Sequence, residues 1–234
     1  MKHIQRKSVK GTTQEARTPL SRERILRAAI KLADRDGIDS LSMRKLGQEV
    51  GVEAMSLYNH VRNKDDVLNG MVDFVFSEID LPSNGADWTT AMRQRATSAR
   101  QALLRHPWAI GLMESRVQPG PATLRHHDSV LRNLREAGFS LDLAAHAYSV
   151  LDSYIYGFTL NELSLPFDTS EGAAEVAGNI FREFRPGDYP YLTEMATEHA
   201  MKPGYNYGDE FAFGLELILE GLEAAIKRSG RSNG

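Results

Sequence analysis

The chain contains no cysteine. That excludes disulfides, thiolate metal sites and cysteine nucleophiles, and it suits a reducing compartment. No stretch approaches the ~18 uninterrupted apolar residues that a membrane-spanning helix needs. The basic N-terminal residues are not followed by the apolar run of a secretory leader, so a cytoplasmic protein with no membrane partner is expected. Strict apolar–polar alternation is absent, which argues against strands, and no internal repeat is visible. What remains is a 234-residue chain with 41% hydrophobic and 25% charged residues. That composition is ordinary for a globular protein and fills one large or two modest domains.

The formal net charge of −3 conceals a split. Residues 1–66 hold 14 Lys and Arg against 9 Asp and Glu, and the rest of the chain holds 14 against 22. A basic end on an acidic body suggests a polyanion at one pole, although chance clustering of surface charge would give the same count.

Apolar spacing predicts helices throughout. Residues 1–20, with Lys2, Arg6, Lys7, Lys10 and Arg17, read as a basic flexible arm. From Ser21, Ile25, Ala28, Ala29 and Leu32 share one helical face up to Asp36-Gly37. Ser42 caps a short helix, Met43 to Val50, and Gly51 follows where a sharp turn needs positive φ. A third helix is expected from about Glu53 to His60, and Asn63 caps a fourth that runs to about Glu78. Pro82-Ser83-Asn84-Gly85 reads as a linker. Further helices are expected over 87–106, 108–114, 122–137, 141–163, 170–185, 188–200 and 209–227. The expected fold is all-α: a helix-turn-helix domain at 21–68, an effector-binding and dimerisation domain at 69–228, and a tail at 229–234.

Three short helices with a tight glycine turn before the third form a helix-turn-helix, in which the third helix enters the DNA major groove. Leu57 and Val61 face inward toward Leu46 and Val50. Ala54, Met55, Ser56, Tyr58, Asn59 and His60 are left outside. Ser56, Tyr58 and His60 suit phosphate oxygens, Asn59 suits phosphate or adenine, and Ala54 and Met55 suit a thymine methyl. Arg44 and Lys64 sit where phosphates would pass. The same residues would also serve as an ordinary surface.

The stretch LSMRKLGQEVGVEAMSLYNHVRNKDDVL, Leu41 to Leu68, with Ile25, Ala28 and Gly37 upstream, resembles the DNA-binding domain of the tetracycline-repressor (TetR) family. Ala137–Phe158 and Phe211–Lys227 resemble that family's C-terminal domain. The resemblance implies a homodimeric repressor that binds a palindromic operator and leaves it when a small-molecule effector enters the C-terminal domain. Arg44, Ala54, Met55, Ser56, Tyr58, Asn59, His60 and Lys64 match its DNA-contacting positions. The positions that hold a magnesium–drug chelate in tetracycline repressors are here Asp80, Arg95, Met113 and Asn161. Magnesium wants several hard oxygen ligands, so no metal, no cofactor and no tetracycline–magnesium binding are expected.

In the body, Phe211, Leu215, Ile218 and Leu222 form a coiled-coil-like seam, and Leu143, Ala147, Val150 and Tyr154 repeat its steps. These eight residues are the expected dimer interface, with Gly214 and Gly221 permitting close helix approach. The expected effector-pocket lining is Met92, Arg95, Trp108, Leu112, Met113, Leu131, Leu134, Tyr154, Phe158 and Asn161. Each of these also reads as plain core or, for Arg95, as a solvated cation.

Two rival readings stay open. Arg125-His126-His127-Asp128 is the most enzyme-like cluster, but adjacent histidines on a helix point about 100° apart, and no hydrolase or phosphate-binding motif accompanies it. The other rival is a helix-turn-helix protein that acts through a protein partner.

Overall fold

The computed structural model describes residues 19–82, 87–113, 115, 118–167, 169–182 and 187–232. The expected basic arm, the Ser83–Gly85 part of the linker, Glu114, the end of the expected 170–185 helix and the last two residues of the tail lie outside the described residues. The described chain is helical with no strand. Its helices are α1 (Arg22–Asp36), α2 (Met43–Val50), α3 (Ala54–Leu57), α4 (Lys64–Glu78), α5 (Trp88–Arg105), α6 (Ile110–Met113), α7 (Pro121–Glu136), α8 (Leu141–Ser164), α9 (Ser170–Phe181), α10 (Pro190–Met195) and α11 (Glu210–Ser232). Among the described residues no helix is long and apolar enough to cross a membrane.

Local chemistry sets most helix starts. The side chains of Ser21, Ser42, Asn63, Asp87 and Ser140 each accept a hydrogen bond from the backbone N–H three residues on, satisfying a donor the helix leaves orphaned. Gly120, at the start of α7, has no side chain for this. Asp73 of α4 supplies the carboxylate instead, accepting from Thr123 N at 2.8 Å and Thr123 Oγ1 at 3.0 Å. The cap therefore also ties α7 to α4.

Two elements differ from expectation. The third helix is α-helical only over Ala54–Leu57. The N–H groups of Tyr58, Asn59 and His60 then donate to the carbonyls of Met55, Ser56 and Leu57, three residues back. This tighter winding carries the chain from buried Val61 to the extended backbone of Asn63, φ −165°. The expected 188–200 helix begins at Pro190 and ends in a π-helical turn, Ala196–Ala200.

The described buried apolar residues, except Ala173 and Ala177 of α9, make one cluster from Ile25 in α1 to Leu219 in α11. α4 belongs to both ends of it: it packs on α1 at one side and on α5 and α7 of the body at the other, where Phe76 meets the His126 ring.

Candidate functional site

The outward face near α3 is built on a small buried base. Leu57 and Val61 are 0% and 2% exposed. Met55, Tyr58, Asn59 and His60 point to solvent, Ala54 and Ser56 are half-buried, and Arg44 and Lys64 flank them on the surface. Met55, at 76% exposed, is a large apolar side chain that no helix of the protomer covers.

Backbone contacts fix the angle between α2 and α3. Gly51 ends α2 in the left-handed conformation, φ 74°, and its N–H returns to the carbonyls of Gly47 and Gln48. A Cβ on Gly47 would lie 2.8 Å from Val52 O and 3.1 Å from Ala54 N. Only glycine lets the turn lie this close on α2. Sequence reasoning passed over Gly47, because a glycine inside a helix signals a close approach only once the approaching backbone is seen. Arg24 of α1 donates to Val50 O at 2.9 Å, closing the end of α2.

Asp66 fastens this head to α4. Its carboxylate accepts from Arg22 at 2.9 and 3.2 Å, from the Arg62 backbone N–H at 2.9 Å and from the Arg62 guanidinium at 3.3 Å. Burial opposes ionisation, but the bonds from Arg22 and Arg62 outweigh it and hold the pKa at about 2. Asp66 is therefore a structural clasp as well as a first-turn acid favourable to the helix dipole.

A second clasp joins α1 to the body. Asp34 Oδ1 lies 2.8 Å from His106 Nδ1 and accepts from Trp108 Nε1 at 2.7 Å. Trp108 was expected to line the effector pocket. The structure turns its indole N–H toward α1, because Asp34 offers the acceptor that a buried N–H needs.

The body holds a buried polar cluster between α5, α7 and α8. Arg95 is 1% exposed and pairs with Asp152. Its Nε donates to His126 Nε2 at 3.3 Å. Burial, Arg95 and His127 together lower the His126 pKa to about 3, so the ring is neutral. Arg95 is thus not a solvated cation, and His126 belongs to the core and not to a surface enzymatic cluster. Among the described residues no three His, Cys, Asp or Glu side chains gather to hold a metal ion.

The other expected pocket residues fall in different places. Met92 and Leu134 are fully buried, Met113 and Phe158 nearly so, and Leu112 and Tyr154 partly. Tyr154 and Phe158 join Phe211 and Tyr207 in an aromatic group beside Arg100. Leu131 and Asn161 are on the outer surface. Their faces of α7 and α8 point away from the protomer's interior, so the structure does not place them with the buried set.

The expected dimer seam needs a similar correction. Ala147, Phe211 and Leu215 are buried in the protomer's own core. Leu143, Tyr154, Ile218 and Leu222 pack partly against it, and Tyr154 Oη donates to Phe211 O at 2.9 Å. Gly214 does allow a close approach, but to Tyr154 of the same chain, whose Oη would lie 2.3 Å from an added Cβ. Nothing lies within 4 Å of the corresponding position on Gly221. Of the eight expected residues only Val150 is freely exposed, at 46%. The large apolar side chains left outside are Leu141, Val150, Leu160 and Leu163 on α8 and Phe213 and Leu217 on α11. The strongest apolar stripe of each helix is used by the protomer itself, and the outer stripe is the weaker one.

Comparison with known proteins agrees with this architecture. Residues 25–71 match the bacterial regulatory proteins of the tetR family, and residues 81–226 match the tetracyclin repressor-like C-terminal domain. The chain belongs to the TetR family. An HTH-type transcriptional regulator of Saccharopolyspora erythraea is 36% identical to it, over 88% of this chain and 85% of that protein. The class D tetracycline repressor protein of Escherichia coli is 32% identical, over 88% of this chain and 91% of its own length. Apo ActR from Streptomyces coelicolor superposes with a TM-score of 0.74 at 28% identity, covering 91% of this chain and 99% of that one. This TetR-family protein is accordingly a DNA-binding transcriptional repressor and not an enzyme.

Proposed function

We propose that the chain works as a cytoplasmic homodimer, holding a palindromic operator through its two α3 faces and leaving it when a small molecule enters the body. The observation that carries the reading is the α3 face itself. Leu57 and Val61 hold it down while Met55, Tyr58, Asn59 and His60 stand out beside Arg44 and Lys64. The head comprises residues 21–68 and the body 69–228, with the boundary inside α4. The exposed stripes of α8 and α11, Val150, Leu160, Phe213 and Leu217, are the self-complementary surface of a two-fold dimer.

Effector binding by the body is supported by the relatives. ActR of Streptomyces coelicolor has been solved in complex with actinorhodin, in a fold that matches this chain with a TM-score of 0.72 at 27% identity. Coupling follows from packing. α4 carries the Asp66 clasp at one end, and at the other Phe76 lies tilted against the His126 ring, 5.2 Å centre to centre. An effector that prefers one placement of α4 shifts operator affinity by its differential affinity for the two placements.

Selection of random duplex DNA on the purified protein at fixed salt tests the reading. A palindrome with half-sites about one helical turn apart, ~34–36 Å, is expected. No enriched motif, with and without metabolite extract, would favour the protein-partner alternative.

A further inference from the structure

His106 is a buried ring, 7% exposed, held between two carboxylates. Its Nδ1 lies 2.8 Å from Asp34 Oδ1 on α1, and its Nε2 lies 3.3 Å from Glu78 Oε2 in the last turn of α4. A neutral imidazole has one N–H and one lone pair. Whichever tautomer it adopts, the lone pair then faces a carboxylate oxygen that has no proton to give. Only the imidazolium donates at both ends.

Each of these oxygens also receives a donor whose role cannot reverse. Trp108 Nε1 donates to Asp34 Oδ1 at 2.7 Å, and Arg105 donates to Glu78 Oε2 at 2.7 Å. Asp34 of α1, Glu78 of α4 and Arg105 of α5 are thus the charged groups around the ring, and Trp108 lies against it with ring centres 5.8 Å apart. Two carboxylates and one guanidinium leave one negative charge beside a neutral ring, and an imidazolium cancels it. Burial works against a charged ring, and the two carboxylates work for it.

We infer that His106 is a proton-operated coupling between α1 and α4. With both nitrogens protonated, the ring ties the end of α4 to α1. When one proton leaves to water, the remaining N–H keeps the shorter bond to Asp34, and Glu78 stays with Arg105. α4 is then released, while α1 keeps its tie to the segment after α5. Because α4 joins head to body, a held α4 leaves less freedom for operator binding to remove, so protonation favours the operator complex. That consequence rests on the DNA-binding reading given above; the coupling itself does not.

Titration of the ¹⁵N-labelled full chain from about pH 5.5 to 8.5, the range in which histidine side chains change charge, tests the coupling. The His106 ring should report two N–H groups at the acid end and one, on Nδ1, at the alkaline end. Amide protection of Phe76, Ser77 and Glu78, corrected for the intrinsic pH dependence of exchange, should fall about tenfold or more over the same step, as loss of one hydrogen bond to a charged group implies. His106→Gln should remove the step in protection. So should Glu78→Gln, a milder change, because an amide both donates and accepts and meets Nε2 in either protonation state. A ring whose proton count never changes over that range, protection that ignores the ring's step, or a step that persists in Glu78→Gln would each overturn the inference.

The operator arm is read separately, on duplex recovered by selection. Over the same range, wild-type affinity should fall about tenfold more than that of Glu78→Gln; titration of His60 on the α3 face is common to both chains and cancels. Equal falls would overturn the link to DNA binding. A protein that selects no duplex would sink the DNA reading and leave the ring and exchange measurements to decide the coupling.

Discussion

His106 Nδ1 lies 2.8 Å from Asp34 Oδ1, so a carboxylate of the first helix ties the DNA-binding domain to the segment after α5. Trp108 Nε1 donates to the same oxygen at 2.7 Å. On its other side, His106 Nε2 is 3.3 Å from Glu78 Oε2, which also accepts from Arg105 at 2.7 Å. The α4 end and the segment after α5 therefore meet at His106, which reaches α1 through Asp34. Asp34→Ala removes the acceptor of a buried indole N–H and should cost ~1–3 kcal/mol in urea unfolding. Asp34→Asn, which keeps an acceptor oxygen, should cost less. Equal and negligible losses would show the clasp to be idle.

Acid sensitivity should divide into two windows. His126 has a folded pKa of about 3, below its ordinary ~6.5. The unfolded chain therefore takes up the proton first, and the contribution is complete above about pH 6.5 and declines toward pH 3, by at most ~1.4 kcal/mol per pH unit. Asp66, at about 2, follows the same sign from ~3.9 downward. Denaturant midpoints across pH 2–7 should lose the upper slope in His126→Phe and the lower one in Asp66→Asn. Unchanged slopes would reject these assignments.

Gly47→Ala should separate folding from reading. Its Cβ would press on Val52 O and Ala54 N, which are backbone and cannot rotate away. A cost of about 1–3 kcal/mol is expected, together with a loss of operator affinity of more than about tenfold as α3 is pushed off its angle. Circular dichroism and gel shift on one preparation give both numbers.

The surface residues of the reading face should differ in kind. Lys64→Ala should weaken binding to all sequences and reduce the salt slope by about 0.9 for each lysine lost, roughly 2 per dimer. Met55→Ala should leave the slope alone and relax base preference at one position of each half-site, by ~1 kcal/mol or more.

If the exposed stripe of α11 is the proposed dimer face, Leu217→Glu should give a monomer in sedimentation without unfolding the protomer, because the residue is 55% exposed. Leu215, two residues away and 1% exposed, should instead unfold the chain when changed to Glu. If both variants stayed dimeric and folded, the outer stripe would not be the interface.

Helix boundaries were legible because caps are local. Ser21, Ser42, Asn63, Asp87 and Ser140 bond within their own first turn, so neighbouring letters suffice to find them. The α3 face was legible for the same reason: Leu57 and Val61 are four apart, and what they leave out is the face proposed to read DNA. The buried Arg95–Asp152 pair was not. Arg95 and Asp152 are 57 positions apart, and a lone arginine in sequence does not reveal whether a partner waits across the core. Ala147, Phe211 and Leu215 of the expected dimer stripe are covered by the protomer itself, because hydrophobicity marks what must be covered, not by which chain. Phe211 and Leu215 are more continuous than Phe213 and Leu217, so they went to the protomer interior.

α4 is one unbroken run of fifteen residues, Lys64–Glu78, and at ~1.5 Å per residue it is a rod of roughly 22 Å. A rod amplifies rotation into travel. Pivoting by about 5° at the Phe76 end would carry the Asp66 end, about 15 Å away, some ~1.3 Å, and two-fold symmetry in the proposed dimer would double the change in span between two heads. The molecule needs no large deformation around a bound ligand. It needs only a stiff beam held at both ends, so that an ångström-scale push inside becomes a mismatch of register on the outside.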